Sequence, residues 1–220
     1  MLGGHETFAD VQLHSLSWET YYTPSVFEAC DRLVGEGLIR AYGVSVERVE
    51  EALKAIEFPG VATVQIIFNV FRQRPAELFF NQAVERDVGV IARVPLASGL
   101  LTGKFTRDTH FAADDHRAFN RHGESFDVGE TFSGVPMGAA TRTVAALRRL
   151  VPAGATLAQF ALRWILMYEA VTVAIPGCRT PAQAAENFAA AALPAFDTAT
   201  MDACRDIYDQ HIRAHVHHRW

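Results

Sequence analysis

The sequence predicts an α/β fold built on a parallel sheet. Two observations carry that expectation. Short, near-continuously apolar runs rich in β-branched residues look like strands covered on both faces. The first four of them recur about every 25 to 30 residues, each followed by a helical pattern, which is the rhythm of repeated strand–helix units. A doubly wound sheet and a (β/α) barrel both fit this rhythm. No GxGxxG turn follows the first run, so a dinucleotide fold of the doubly wound kind lacks its phosphate turn.

Taken in order, strands are expected over 11–14, 38–44, 62–68, 88–94 and 171–175. Thr23-Pro24 places a cap candidate before a proline at the first helical position, and Val26, Phe27, Cys30, Leu33 and Val34 then form an apolar stripe. Ser45 precedes a second helical pattern through Val49, Ala52, Leu53 and Ile56. Leu78, Ala83 and Val84 mark a third, and another is expected over 139–150. Thr156 opens a strongly apolar helix reaching Met167, and Thr180-Pro181-Ala182-Gln183 reads as a capping box. A last amphipathic helix is expected over 198–208. Two segments break the rhythm. Residues 104–134 are charged and rich in glycine and histidine, with the length of a lid. Residues 209–220 end the chain as an imidazole-rich tail expected to be largely solvated.

Composition narrows the function classes. The chain has 220 residues, half of them hydrophobic and 20% charged, with a net charge of -5, which suits a single globular domain. No basic stripe argues for nucleic acid, and no polybasic helix or long apolar run argues for a membrane. Met1–Asp10 is polar and lacks the apolar core of a secretory signal. Cys30, Cys178 and Cys204 are widely spaced, with neither a disulfide framework nor a zinc pattern, so reduced thiols in a cytoplasm are expected. Asp114, Asp115, His116, His122 and Glu124 fit no standard zinc or EF-hand spacing, and a charged lid near a substrate mouth is expected there rather than a metal.

Five segments, in order along the chain, resemble the aldo-keto reductase family. Asp10–His14 (DVQLH) is similar to its fourth-strand motif. Gly35–Ser45 resembles the approach to the fifth strand and its GVS ending. Gln65–Asn69 (QIIFN) resembles the sixth strand. Pro95–Lys104 (PLASGLLTGK) resembles the loop after the seventh, and Ile175–Arg179 (IPGCR) with Gln183 and Asn187 resembles the segment after the eighth. The resemblance implies a partial TIM (β/α)8 barrel holding strands four to eight with their helices. It also implies that NADPH is the cofactor and that a small aldehyde or ketone is reduced by hydride transfer.

Site residues follow from the same resemblance. His14 would orient the substrate carbonyl. Gln65 and Ser45 would meet the nicotinamide carboxamide, although Val46 stands where the family has asparagine and Ser45 fits a helix cap as well. Phe68 would stack on the nicotinamide in place of a tyrosine, or serve as a core aromatic. Pro95, Leu96, Ser98, Gly99 and Leu101 would hold the pyrophosphate through backbone amides and a hydroxyl, with Lys104 as a further cation; Val94 replaces a common serine. Gly177 and Arg179 would take the 2′-phosphate at a helix start, and Gln183 and Asn187, one turn apart, would meet adenine. Trp18, Tyr21, Tyr22 and Trp220 would line the substrate pocket. The family's aspartate, tyrosine and lysine come from earlier strands that this chain has no match for, so weak turnover is expected. The alternative is a non-catalytic nucleotide-binding or interaction module. Open sheet edges would permit self-association.

Overall fold

The computed structural model describes residues 8–106 and 109–220; the start at 1–7 and two positions of the lid, 107–108, lie outside the described residues. Five parallel strands, β1 (Val11–His14), β2 (Tyr42–Val46), β3 (Val61–Ile67), β4 (Gly89–Arg93) and β5 (Val171–Ala174), form one sheet in sequence order. Helices α1 (Pro24–Gly35), α2 (Val49–Ala55), α3 (Phe79–Glu85) and α6 (Leu157–Ile165) are the crossovers between them. The chain continues into α7 (Pro181–Ala189) and α8 (Thr198–His211), while α4 (His116–Phe119) and α5 (Met137–Leu147) belong to the long connection after β4. Among the described residues the sheet is open, with β1 and β5 as its two edges.

Alternation along the strands divides the sheet into two faces. Val44, Val46, Val64, Ile66, Val90 and Ala92 are buried against the helices, in a core shared with Ala52, Ala55, Phe79, Phe80, Phe160 and Trp164. The other face is polar. Its residues pair across neighbouring strands as Gln12–Gly43–Thr63–Gly89 and His14–Ser45–Gln65–Ile91, give or take one shift. Gly43 is required where it stands, because a Cβ there would lie 2.1 Å from Thr63 Oγ1 and 2.6 Å from Gln12 Nε2.

The second strand begins later than expected. Leu38 and Ile39 donate their amides to Leu33 O and so finish α1, after a left-handed Gly37, which leaves Tyr42 to start the ladder. Ser45 therefore sits inside β2 and is not a helix cap; Arg48 precedes α2, and the Glu51 carboxylate accepts from the Glu47 and Arg48 amides. Thr23 does not cap α1 either, since its hydroxyl donates to Glu19 O. Thr156 and Gln159 form a reciprocal box at α6, and Thr180 accepts from Gln183 N at α7. In the α1 stripe only Phe27 and Cys30 are buried.

The lid is packed rather than open. Asn69 Nδ2 donates to Val94 O and Ser133 Oγ, and Ser98 Oγ donates to Glu130 O while accepting from Phe132 N. Arg93, at the end of β4, is 5% exposed and pairs with both Glu47 and Glu130, tying the β2–α2 loop, the sheet and the lid together. The expectation of a solvated tail at 209–220 is overturned. Ile212, Val216 and Trp220 are buried, and α9 (Arg213–Val216) packs beneath the lid. The Trp220 ring lies 3.8 Å from the Arg72 guanidinium and donates Nε1–H to Asp127 at 3.1 Å. A Cβ at left-handed Gly134 would enter that ring, at 2.5 Å. Burial pushes the Arg72 guanidinium down to about 9.

Two outcomes are expected. Removing one partner of a buried ion pair strands the other, so Arg93→Ala should cost about 3–5 kcal/mol in urea unfolding. The double variant Arg93→Met/Glu130→Gln should recover part of that loss. Independently, His116 and His217 are both held below the ordinary 6.5, mainly by burial. The unfolded chain therefore binds their protons more readily. Their stabilising contribution is complete above 6.5 and is lost as pH falls from there through their lower folded-state values. Stability measured between about pH 7.5 and about pH 5.5 should decline less in His116→Asn/His217→Asn than in the parent.

Candidate active site

Parallel pairing brings every strand's C-terminal end to one rim, the side on which (β/α) barrels carry their sites. His14, Ser45 and Gln65 stand side by side on three adjacent strands, matched in register. His14 is exposed, and its Nδ1 lies 2.8 Å from the Ser15 hydroxyl. That contact occupies one ring nitrogen and leaves Nε2 for another partner. The Ser45 hydroxyl is buried with no hydrogen-bond partner and borders neither cavity, so the expected contact of Ser45 with a cofactor is not offered by this geometry. His14, Gln65, Glu47, Arg93, Asp127 and Glu130 line a cavity of ≈ 600 Å³.

A second, larger cleft of ≈ 1680 Å³ adjoins it, the two sharing Val94 and Glu130 as walls. Pro95, Leu96, Ser98, Gly99 and Lys104 border this cleft on the β4 side, and Gly177, Arg179, Gln183 and Asn187 on the β5 side. Thus the His14 imidazole and the Arg179 turn belong to two neighbouring depressions on the same side of the sheet. Among the described residues the Lys104 ammonium and the Arg179 guanidinium have no protein partner, so both remain available to an anion. By contrast, Arg117 is committed to Asp115, whose carboxyl it holds well below the usual range. Gln183 Oε1 accepts from Arg179 N at 2.7 Å, which fixes the turn that carries Arg179.

Several sequence expectations are corrected by this geometry. Phe68 lines neither cavity. It is fully buried, with Phe80, Trp164 and Tyr168 rings 4.6, 5.1 and 4.9 Å away, so it has no open face for a nicotinamide. Leu101 is buried, and its amide, like that of Gly99, is spent on Leu96 O. The Ser98 hydroxyl is likewise spent on the lid. These three do not offer free donors to a pyrophosphate. Tyr21 is buried in the core, where burial and then Glu51 and Glu47 raise its phenol well above its ordinary value; such a group neither lines the pocket nor gives up a proton. Trp18 and Tyr22 are exposed and border neither cavity, and Trp220 is enclosed beneath the lid.

Arg93, Glu47 and Glu130 were missed as site residues. The signal was present: an arginine in an otherwise apolar strand demands a partner, because an unpaired buried charge is costly. Backbone strain was not legible. Val94, Ala97 and Ser98 all have positive φ, at 51, 49 and 53°. Non-glycine residues in that region cost about 1–3 kcal/mol each and gather at binding sites.

The sequence matches the Aldo/keto reductase family over residues 6–209. It is 27% identical over 177 residues to the aldo-keto reductase YhdN of Bacillus subtilis, covering 79% of this chain and 51% of that protein. An uncharacterized oxidoreductase, YqkF, of the same organism is 33% identical over 93 residues, 42% of this chain and 30% of that one. Among solved structures, the glycerol dehydrogenase AKR11B4 of Gluconobacter oxydans superposes with a TM-score of 0.74 at 27% identity, over 94% of this chain and 60% of that one. The holo form of AKR11C1 from Bacillus halodurans gives 0.70 at 19% identity, over 92% and 61%, a likeness of fold alone. The chain thus spans about half the length of the YhdN relative. With the family match covering nearly all of its residues, and its parallel sheet superposing on solved members, the chain belongs to the aldo/keto reductase family.

Proposed function

We propose that the chain holds NADPH along the rim and takes part in reducing an aldehyde or ketone to an alcohol. The observation that carries this reading is the pair of adjoining depressions, one lined by His14 and the other by Lys104 and Arg179, two cations with no protein partner among the described residues. A dinucleotide is long and anionic, and the larger cleft has the room and charge for one. Arg179 offers a planar cation suited to a 2′-phosphate, which favours NADPH over NADH. Lys104 supplies a second charge across the cleft. Gln183 and Asn187 border the part of the cleft left for adenine. Towards the other end, the Gln65 side chain on the wall of the smaller cavity fits a carboxamide, which has both a donor and an acceptor to offer.

The cofactor, when bound, supplies the hydride. The chain's own residues bind and orient. His14 Nε2 addresses the carbonyl oxygen while Ser15 steadies the ring from Nδ1. Tyr21 does not serve as a proton donor, being buried and raised, and Tyr22 borders neither cavity. General acids contribute about 10²–10⁴-fold, so turnover by these 220 residues alone is weak. The three cysteines are free thiols, which suits a reducing cytoplasm.

The test is a fluorescence titration with NADPH and NADH. Arg179→Ala should weaken NADPH by about ten- to a hundredfold, the worth of a charged hydrogen bond, and leave NADH nearly unchanged. Equal losses for both cofactors, or no NADPH binding by the parent, would refute the assignment. His14→Gln should leave NADPH affinity within about twofold and lower any NADPH consumption with a reactive aldehyde by about 10²-fold or more. A His14 variant with parental turnover would remove it from the mechanism.

A further inference from the structure

We propose that His217 is a pH-sensitive latch on the tail: its protonation exchanges an Arg213 partner for a Glu77 partner and loosens the seat of Trp220 beneath the lid. The ring stands where three segments meet. Tyr208 of α8 has its hydroxyl 2.9 Å from Nδ1. Arg213, which opens α9, has Nη2 2.9 Å from Nε2. Glu77, just ahead of α3, has a carboxylate oxygen 3.2 Å from the same Nε2. Arg74 adds a second positive charge from that side, and Asp209 of α8 pairs with Arg213 at 3.3 Å.

One nitrogen thus faces a cation and an anion, and the proton decides which it can hold. A guanidinium only donates. The neutral ring therefore accepts from Arg213 through a bare Nε2 and gives its Nδ1–H to the Tyr208 oxygen. Burial keeps that phenol protonated, pushed up to about 12, so Tyr208 stays neutral while the ring titrates. Once protonated, Nε2 becomes a donor. It then fits the Glu77 carboxylate and repels the Arg213 N–H it had accepted. Arg213 turns to Asp209 and to the other Glu77 oxygen, 3.1 Å away. The swap displaces the residue that begins α9.

What α9 carries gives the swap its reach. Val216 and Trp220 are buried, and Trp220 holds the lid through its Nε1–H to Asp127 while covering the Arg72 guanidinium. The lid is moulded on that ring, since a Cβ at Gly129 or Gly134 would lie 3.1 or 2.5 Å from it. Asp127 also walls the small cavity beside His14, so the latch acts on that wall. Burial, with Arg213 and Arg74, holds the seated ring below the ordinary 6.5, although Glu77 pulls the other way. A released ring in water regains 6.5, so protons select the released tail. The seated form is fully favoured above 6.5 and loses ground as pH falls from there through the ring's lower seated value.

The test follows the indole N–H signals of the full chain in proton–nitrogen correlation spectra. Trp220, assigned by Trp220→Phe, reports the seat, and Trp164, buried in the core, reports global unfolding. Between about pH 7.5 and about pH 5 the Trp220 signal should move in one step, with a midpoint below 6.5. Its exchange protection, corrected for intrinsic rates, should fall about threefold or more while Trp164 holds its place. His217→Gln keeps an acceptor for Arg213 and takes up no proton, so it should abolish the step. Glu77→Gln, at an exposed side chain, should move the midpoint down, because the protonated ring loses its carboxylate. His116 in the lid is likewise held below 6.5 but is present in both variants. The latch is overturned by a Trp220 signal indifferent to pH, by a step that survives His217→Gln, by a midpoint that Glu77→Gln leaves in place or raises, or by Trp220 and Trp164 moving together.

Discussion

Everything at the rim depends on the parallel register of the first three strands. His14, Ser45 and Gln65 are far apart in the chain and come to lie side by side only because β1, β2 and β3 pair as they do. A slip of one residue would turn each of them to the helix-covered face and bring Val44 and Val64 out to the rim side. The large burial of valine, isoleucine and aromatic side chains on the helix side is what forbids that slip. The core therefore sets the geometry of a site whose members contribute little to it. Gly43 enforces the same register locally, since no larger residue fits between Gln12 and Thr63.

Charge ties the rest of the site to that frame. Arg93 ends β4 where the small cavity meets the large cleft, and its guanidinium holds Glu47 from one loop and Glu130 from the lid. Two carboxylates on one buried cation neutralise it, and the Nη2 donors are both taken, by Glu47 and by Val46 O. The arginine acts on the lid, and the lid in turn encloses Trp220 and the Arg72 guanidinium. Strained backbone at Val94, Ala97 and Ser98 lies between these contacts. Such strain persists where the surroundings over-determine it, and here the Ser98 hydroxyl and the Asn69 amide bind that stretch to the lid.

How much of this could be read from sequence varies with the kind of physics involved. Strand identity was legible because runs such as ATVQIIF are short and rich in β-branched residues, and all five runs hold strands although only the helix-covered face is fully buried. Capping at Thr156 and Thr180 was legible because it is local chemistry. The start of β2 was not, since the C-terminal turn of α1 competes for Leu38 and Ile39. Site residues followed the same division. Positions at strand ends, such as His14 and Arg179, reached the rim as expected. Phe68, Leu101 and Tyr21 did not, because the direction of a side chain one residue past a strand depends on packing that pattern alone does not specify. The tail misled for another reason. Four histidines suggest solvent, yet Ile212, Val216 and Trp220 interleave with them and carry the burial.

The placement of polar and apolar surface argues one further step. An exposed sheet face ordinarily repels association by being polar, and an exposed edge by being short, charged or capped. Here the inner face is polar, with Gln12, Thr63 and Gln65 half-buried on it, but the edges are not defended. Phe8 and Phe188 stand at opposite ends of the sheet, each among the most exposed large apolar side chains of the chain. Water disfavours that arrangement, so the apolar edges and the polar face between them make opposite demands on their surroundings. Folding and the site therefore meet on one sheet, since burial on the helix side fixes the register and the register sets His14 beside Ser45, the strand neighbour of Gln65.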